Sequence, residues 1–155
     1  MNRRLVSVLI VSAIGAAVPD AAIAQRLDLS LSPRVITFPS SDPDTVPVIS
    51  SAPVQIDYRV RQNDPGGPWA LTVLAAGDLV SGSSSVAISN VTWIATPAPP
   101  FQNGTLSKTV AQRVASGSGN LNPAATGSIT FLLANSWTYS TGTYTQTVLF
   151  TLSAP

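Results

Sequence analysis

The sequence contains no cysteine and no histidine. It has no glutamate either, so all seven of its acidic residues are aspartates. Without a thiol or an imidazole there is no basis for Cys or Ser-His-Asp hydrolases, zinc sites or most redox chemistry. Charge is scarce, at 10% of residues, yet 45% are hydrophobic. A disordered chain would be poor in apolar residues, so a packed fold is expected. A helical period is missing throughout, whereas alternation of apolar and polar residues recurs. Thirteen prolines and ten glycines among abundant serine and threonine point to short strands joined by turns.

The N-terminus reads as an export signal. Arg3 and Arg4 form a basic start, Leu5 to Val18 an apolar run, and Ala22-Ile23-Ala24 a small-residue cleavage site before Gln25. Residues 1–24 are therefore assigned to a signal peptide and 25–155 to one domain. The run is shorter than the roughly 20 residues of a membrane span, and no later segment is apolar enough to span. The mature chain is expected at the cell surface, outside the cell or in the periplasm. A lipoprotein is excluded because there is no cysteine to acylate. Processing removes Arg3, Arg4 and Asp20, which turns a net charge of +1 into a neutral mature chain. That leaves no basic footprint for nucleic acid or anionic membrane. A neutral Ser/Thr-rich exterior suits sugars or copies of the same chain. Exported without disulfides, the domain must be held by its core.

The strand pattern starts at Leu27, Leu29 and Leu31, which alternate with Asp28 and Ser30. Val35 to Phe38 is a second strand, and Ser40 to Pro47 a loop in which prolines cannot join a ladder. Val54, Ile56, Tyr58 and Val60 face one way, and Gln55, Asp57, Arg59 and Arg61 the other. Asn63 to Gly67 is turn chemistry leading to Pro68 to Ala75, so the pair reads as a hairpin. Further strands are expected at Val86 to Ile88, Val91 to Ala95, Thr105 to Ala115, Ile129 to Leu133 and Tyr144 to Leu152, with a loop from Ser116 to Asn122. About eight to nine short strands predict an all-β fold, a single antiparallel immunoglobulin-like β-sandwich.

Candidate sites are few. Trp69 and Trp93 alternate with polar neighbours and are expected in the core. Trp137 and Tyr139 lie in a connection between strands, where they are candidates for a ligand platform or a structural corner. Tyr139 is similar to the tyrosine corner of immunoglobulin-like sandwiches, whose hydroxyl pins a strand connection. Asp42 and Asp44 offer two carboxylates in a Ser/Pro loop, against the six to eight oxygens that calcium takes. A solvated turn is the better expectation there, and Asp57 with Arg59 is expected to form a surface ion pair. The aspartates all precede residue 79 and mostly lie in turns or on solvent faces, so neither an enzyme nor a cofactor is expected.

Two stretches carry a family resemblance. Gly67-Pro68-Trp69-Ala70-Leu71-Thr72-Val73 resembles the Trp-x-Leu strand of WxL-type bacterial surface domains. Gly142 to Pro155 resembles their closing strand, with Phe150 and Leu152 where a second Trp-x-Leu would stand. The likeness implies an immunoglobulin-like sandwich that binds cell-wall peptidoglycan without a covalent bond. The chain also resembles chaperone–usher pilins of the spore-coat-U kind, which end in a similar Gly-x-Tyr strand but commonly carry a disulfide. That likeness implies self-association by strand donation. Leu27, Leu29 and Leu31 form a candidate donor strand, because alternate apolar residues can fill a neighbour's groove. Their other reading is the first strand of their own sandwich. The functional expectation is an exported, non-catalytic structural or adhesive module, with a strand-donating subunit and a glycan binder as alternatives.

Overall fold

The computed structural model describes the backbone of residues 5–15 and all of residues 25–155; Arg3, Arg4 and the expected cleavage site at Ala22-Ile23-Ala24 lie outside them. Thirteen strands are found among the described residues: β1 (Leu5–Gly15), β2 (Arg26–Ser32), β3 (Val35–Phe38), β4 (Val48–Ser50), β5 (Val54–Arg61), β6 (Pro68–Ala75), β7 (Leu79–Ser81), β8 (Ser84–Val86), β9 (Val91–Thr96), β10 (Gly104–Thr105), β11 (Gln112–Ser118), β12 (Leu121–Ala134) and β13 (Gly142–Ser153). They form two sheets packed face to face, an all-β sandwich. The first runs β11-β6-β13-β1-β3, with β7 on β13 and β8 on β7. The second runs β10-β9-β12-β5-β2, with β4 also on β12. The strand count exceeds the expectation because several runs are broken into two- to four-residue pieces.

Alternation explains which face is buried. Along β5, Val54, Ile56, Tyr58 and Val60 are buried, and along β6 so are Trp69, Leu71, Val73 and Ala75. The two strands nevertheless do not make the expected hairpin. β5 pairs with β12 and β2, whereas β6 pairs with β11 and β13. Both have one strongly apolar face, and the Asn63–Gly67 turn lets those faces meet across the core instead of lying side by side. The turn is held by the Gly119 amide donating to the Gly67 carbonyl at 2.8 Å and by the Gln62 side chain donating to the same oxygen.

A second departure concerns Thr105 to Ala115, which is no single strand. Ser107 Oγ accepts hydrogen bonds from the amides of Thr109 (3.2 Å) and Val110 (3.1 Å), a local turn that competes with a ladder. Lys108 then leaves the sheet to pair with Asp78, whose carboxylate also accepts the Ile88 amide at 3.0 Å. The expected Ser116–Asn122 loop is correspondingly short. Strand β11 continues to Ser118, and Gly119, at φ +83°, reverses the chain into β12. There glycine is needed, because other residues rarely adopt that conformation.

In place of disulfides, the core is filled by aromatic rings laid over glycines. Trp69 lies across its cross-strand partner Gly117, and Trp93 across Gly104. Phe101 covers Gly127. Tyr58 bridges the sheets between Trp69 (ring centroids 5.3 Å apart) and Phe101 (5.8 Å).

Two predictions follow from this packing. A Cβ on Gly117 would stand 2.6 Å from Trp69 Cζ2, so Gly117→Ala should lower stability by about 1–3 kcal/mol; an unchanged denaturation midpoint would refute the ring-over-glycine packing. Asp78 is held below the ordinary aspartate range by the Lys108 hydrogen bond and then by the Ile88 amide. A depressed folded pKa adds stability that is complete above the ordinary value and lost as pH falls through the folded one. Melting curves of wild type and Asp78→Asn should therefore differ at neutral pH and converge below about pH 4; a constant gap across pH would rule this out.

Candidate functional site

The candidate site is a slot in the first sheet. Its walls are β13 on one side and β3 on the other, and β1 fills it. β1 runs parallel to β13 over eleven consecutive pairs, from Leu5↔Gly142 to Gly15↔Leu152. It runs antiparallel to β3 over four, from Ser7↔Phe38 to Ile10↔Val35. Two walls flanking one strand stand about 10 Å apart, twice the ordinary interstrand spacing. Leu5–Gly15, within the stretch assigned to a signal peptide, pairs in the sheet as β1. Five of these eleven residues are Val or Ile and none is Pro or charged, a composition that suits a strand.

The walls are built by alternation. On β13, Tyr144, Val148, Phe150 and Leu152 are buried, and on β3 so are Ile36 and Phe38. β6 and β7 cover the other edge of β13. Hence the edge facing the slot has β1 as its backbone partner, and β3 is joined to the sheet through β1. Backbone N–H and C=O groups need partners, and an open edge of this length is a template for another strand. Here main-chain pairing with β13 and β3 holds β1 in place.

The corner at one end of the slot is pinned by a tyrosine, but not the expected one. Tyr144, 1% exposed, donates its hydroxyl to the Ser140 carbonyl at 3.1 Å, four residues upstream. Tyr139 packs partly buried against the core, where desolvation raises its pKa. The alternation within Gly142-Thr143-Tyr144 is the signal that would have singled out Tyr144.

The remaining sequence candidates are placed as follows. Trp69, Leu71, Phe150 and Leu152 are all core residues on adjacent strands, with Leu71 paired to Leu152 and Val73 to Phe150. Buried there, the Trp-x-Leu-like residues hold the sheet together. Leu27, Leu29 and Leu31 lie on β2, opposite Val60, Tyr58 and Ile56 of β5. Here the candidate donor segment completes its own sandwich, as an edge strand in which only Leu31 is fully buried. Trp137 is 45% exposed, and its Nε1 donates to Asp44 Oδ1 at 3.0 Å. The hollow beside it, lined by Ser41, Asn135 and Tyr139, holds about 10 Å³, room for one water.

Asp42 Oδ1 accepts the Asp44 amide at 2.9 Å, closing an Asp-centred turn. The two carboxylates thus shape the loop and hold Trp137, and no group of three or more metal-ligating residues occurs among the described residues. The expected Asp57–Arg59 ion pair does not form. Asp57 instead accepts from Thr126 Oγ1 (2.7 Å), its cross-strand partner, and from Gln55 Nε2. The ion pair on this face is Arg26–Asp28, at 2.9 Å. Among the described residues no helix is long and apolar enough to cross a membrane.

No family model matches the chain, and no curated protein does. Among solved structures it is similar to the mu-homology domain of yeast delta-COP-I in complex with a Dsl1 WxWxV peptide, at 10% identity and a TM-score of 0.23 over 97% of this chain and 96% of that one. The same yeast domain without peptide gives 10% identity and a TM-score of 0.22 at the same coverage. Likeness at that level carries no argument about fold or function.

The corner gives a direct test. Tyr144→Phe removes one partly buried hydrogen bond and should cost about 1 kcal/mol, while Tyr139→Phe should leave stability unchanged within about 0.5 kcal/mol. Equal effects would show that Tyr144 does not pin the corner.

Proposed function

We propose that the protein is an exported, non-catalytic structural subunit whose sandwich is completed, after processing, by a strand from a second copy. The observation that carries this reading is the seat of β1. The strand that fills the slot is drawn from the segment read as an export signal, so cleavage after Ala24 takes it away. Processing would then leave the β13 edge from Gly142 to Leu152 without its neighbour, and β3 without its link to the sheet.

Several features support a second copy as the occupant. The mature chain carries six positive and six negative residues, so copies meet without net repulsion. The segment with the right pattern is β2, apolar at Leu27, Leu29 and Leu31. It sits at the free edge of its sheet with two of those leucines only partly buried, so its release costs less than that of any central strand. The resemblance to chaperone–usher pilins points the same way. A non-catalytic role agrees with aspartates engaged in turns, ion pairs and cross-strand hydrogen bonds.

The test uses processed protein recovered from exporting cells. It should run as assemblies larger than a monomer in size-exclusion chromatography with light scattering. Leu29→Lys should shift it to smaller species at least about tenfold at equal concentration, because a charge in the donor face must be desolvated. A wild-type processed protein that is monomeric at all concentrations would overturn the reading, and assemblies indifferent to Leu29→Lys would remove β2 as the donor.

A further inference from the structure

The slot has an occupant in the unprocessed chain, and that occupant is part of the same molecule. We propose that Leu5–Gly15 is an intramolecular plug: before processing it closes the slot in parallel register with β13, and its removal switches the subunit from closed monomer to assembly. The inference rests on the strand-acceptor reading above and adds the regulation of that site.

The pairing has the features of a specific ladder. Its eleven pairs with β13 run without a register shift, whereas the β11–β6 and β12–β5 ladders are each interrupted by one. Over Ser7–Ile10 it is paired on both edges, to β13 on one side and to β3 on the other. The plug also matches its wall in length: eleven residues of β1 face eleven of the twelve in β13. A plug one or two residues shorter would leave part of the β13 edge open to another chain.

The plug has a kinetic and thermodynamic advantage over any second copy. Ten residues separate the end of β1 from the start of β2. A short tether of this kind gives an effective concentration in the millimolar range. At micromolar protein the plug therefore competes about a thousandfold better than an equally good strand from another molecule. Once the tether is cut, this advantage vanishes and the released segment is diluted. The same apolar, proline-free run thus serves two purposes, as export signal and as a guard against premature pairing of an open edge.

The chain has no native cysteine, so engineered pairs report register cleanly. Val6 pairs with Thr143 and Ile14 with Thr151 at the two ends of the ladder. The protein is produced at full length with cleavage blocked by Ala22→Phe and Ala24→Phe. In it, Val6→Cys with Thr143→Cys and Ile14→Cys with Thr151→Cys should each give an intramolecular disulfide. Val6→Cys with Thr151→Cys, which an antiparallel plug would join, should not. The blocked chain should stay monomeric at concentrations where processed protein assembles, with assembly at least about a hundredfold slower.

If neither matched pair cross-links, or the blocked chain assembles as fast as processed protein, the plug is wrong. Should the blocked chain assemble as fast as processed protein does, the strand-acceptor reading survives without the plug. Processed protein that fails to assemble at all removes the acceptor reading, and the plug's regulatory role with it.

Discussion

Everything in the first sheet depends on β13 having a strand along both of its edges. β6 supplies one side and, with Tyr144, Val148, Phe150 and Leu152 turned inward, fixes which face of the strand is buried. β1 supplies the other and, among the described residues, is what links β3 to the sheet. Main-chain hydrogen bonding is an obligation, because a strand edge left open either meets water or recruits another strand. A sandwich that takes a central strand from Leu5–Gly15 is complete only while that segment is seated. The functional reading grows out of that condition.

The rest of the core is built to stand without covalent staples. Large rings lie close over glycines on neighbouring strands, so that Trp69, Trp93 and Phe101 pack against bare backbone. Such contacts are intolerant of any added side chain, and they tie β6 to β11, β9 to β10, and the Phe101 segment to β12. Tyr58 then joins the two sheets through its neighbours Trp69 and Phe101. The few charges are used locally: Asp78 and Lys108 clamp an irregular connection, and Asp44 steadies Trp137.

Much of the architecture was legible in the chain itself. The period-two alternation in Val54–Val60, Trp69–Ala75 and Tyr144–Leu152 is visible by eye, and each buried face came out as read. What alternation does not specify is the partner. Val54–Arg61 and Pro68–Ala75 look like a hairpin because a turn joins them, yet they lie in opposite sheets. A turn sequence sets a change of direction, but only the packing of two apolar faces decides whether the strands bond or stack. Likewise the connection suggests Tyr139 as the corner, whereas the inward register of β13 puts Tyr144 there.

By itself, the sequence determined the fold class, the buried faces and the lack of disulfides. These follow from residue types and local periodicity, which need no knowledge of what lies across the core. It also marked Leu5 to Val18 as a segment apart. Only the tertiary structure decided that part of this segment lies between β13 and β3, and that the leucines of Arg26–Ser32 close their own sandwich. Strand pairing is a contest among distant segments for the same backbone edge. Its outcome depends on which neighbours are present, and no local pattern can announce that.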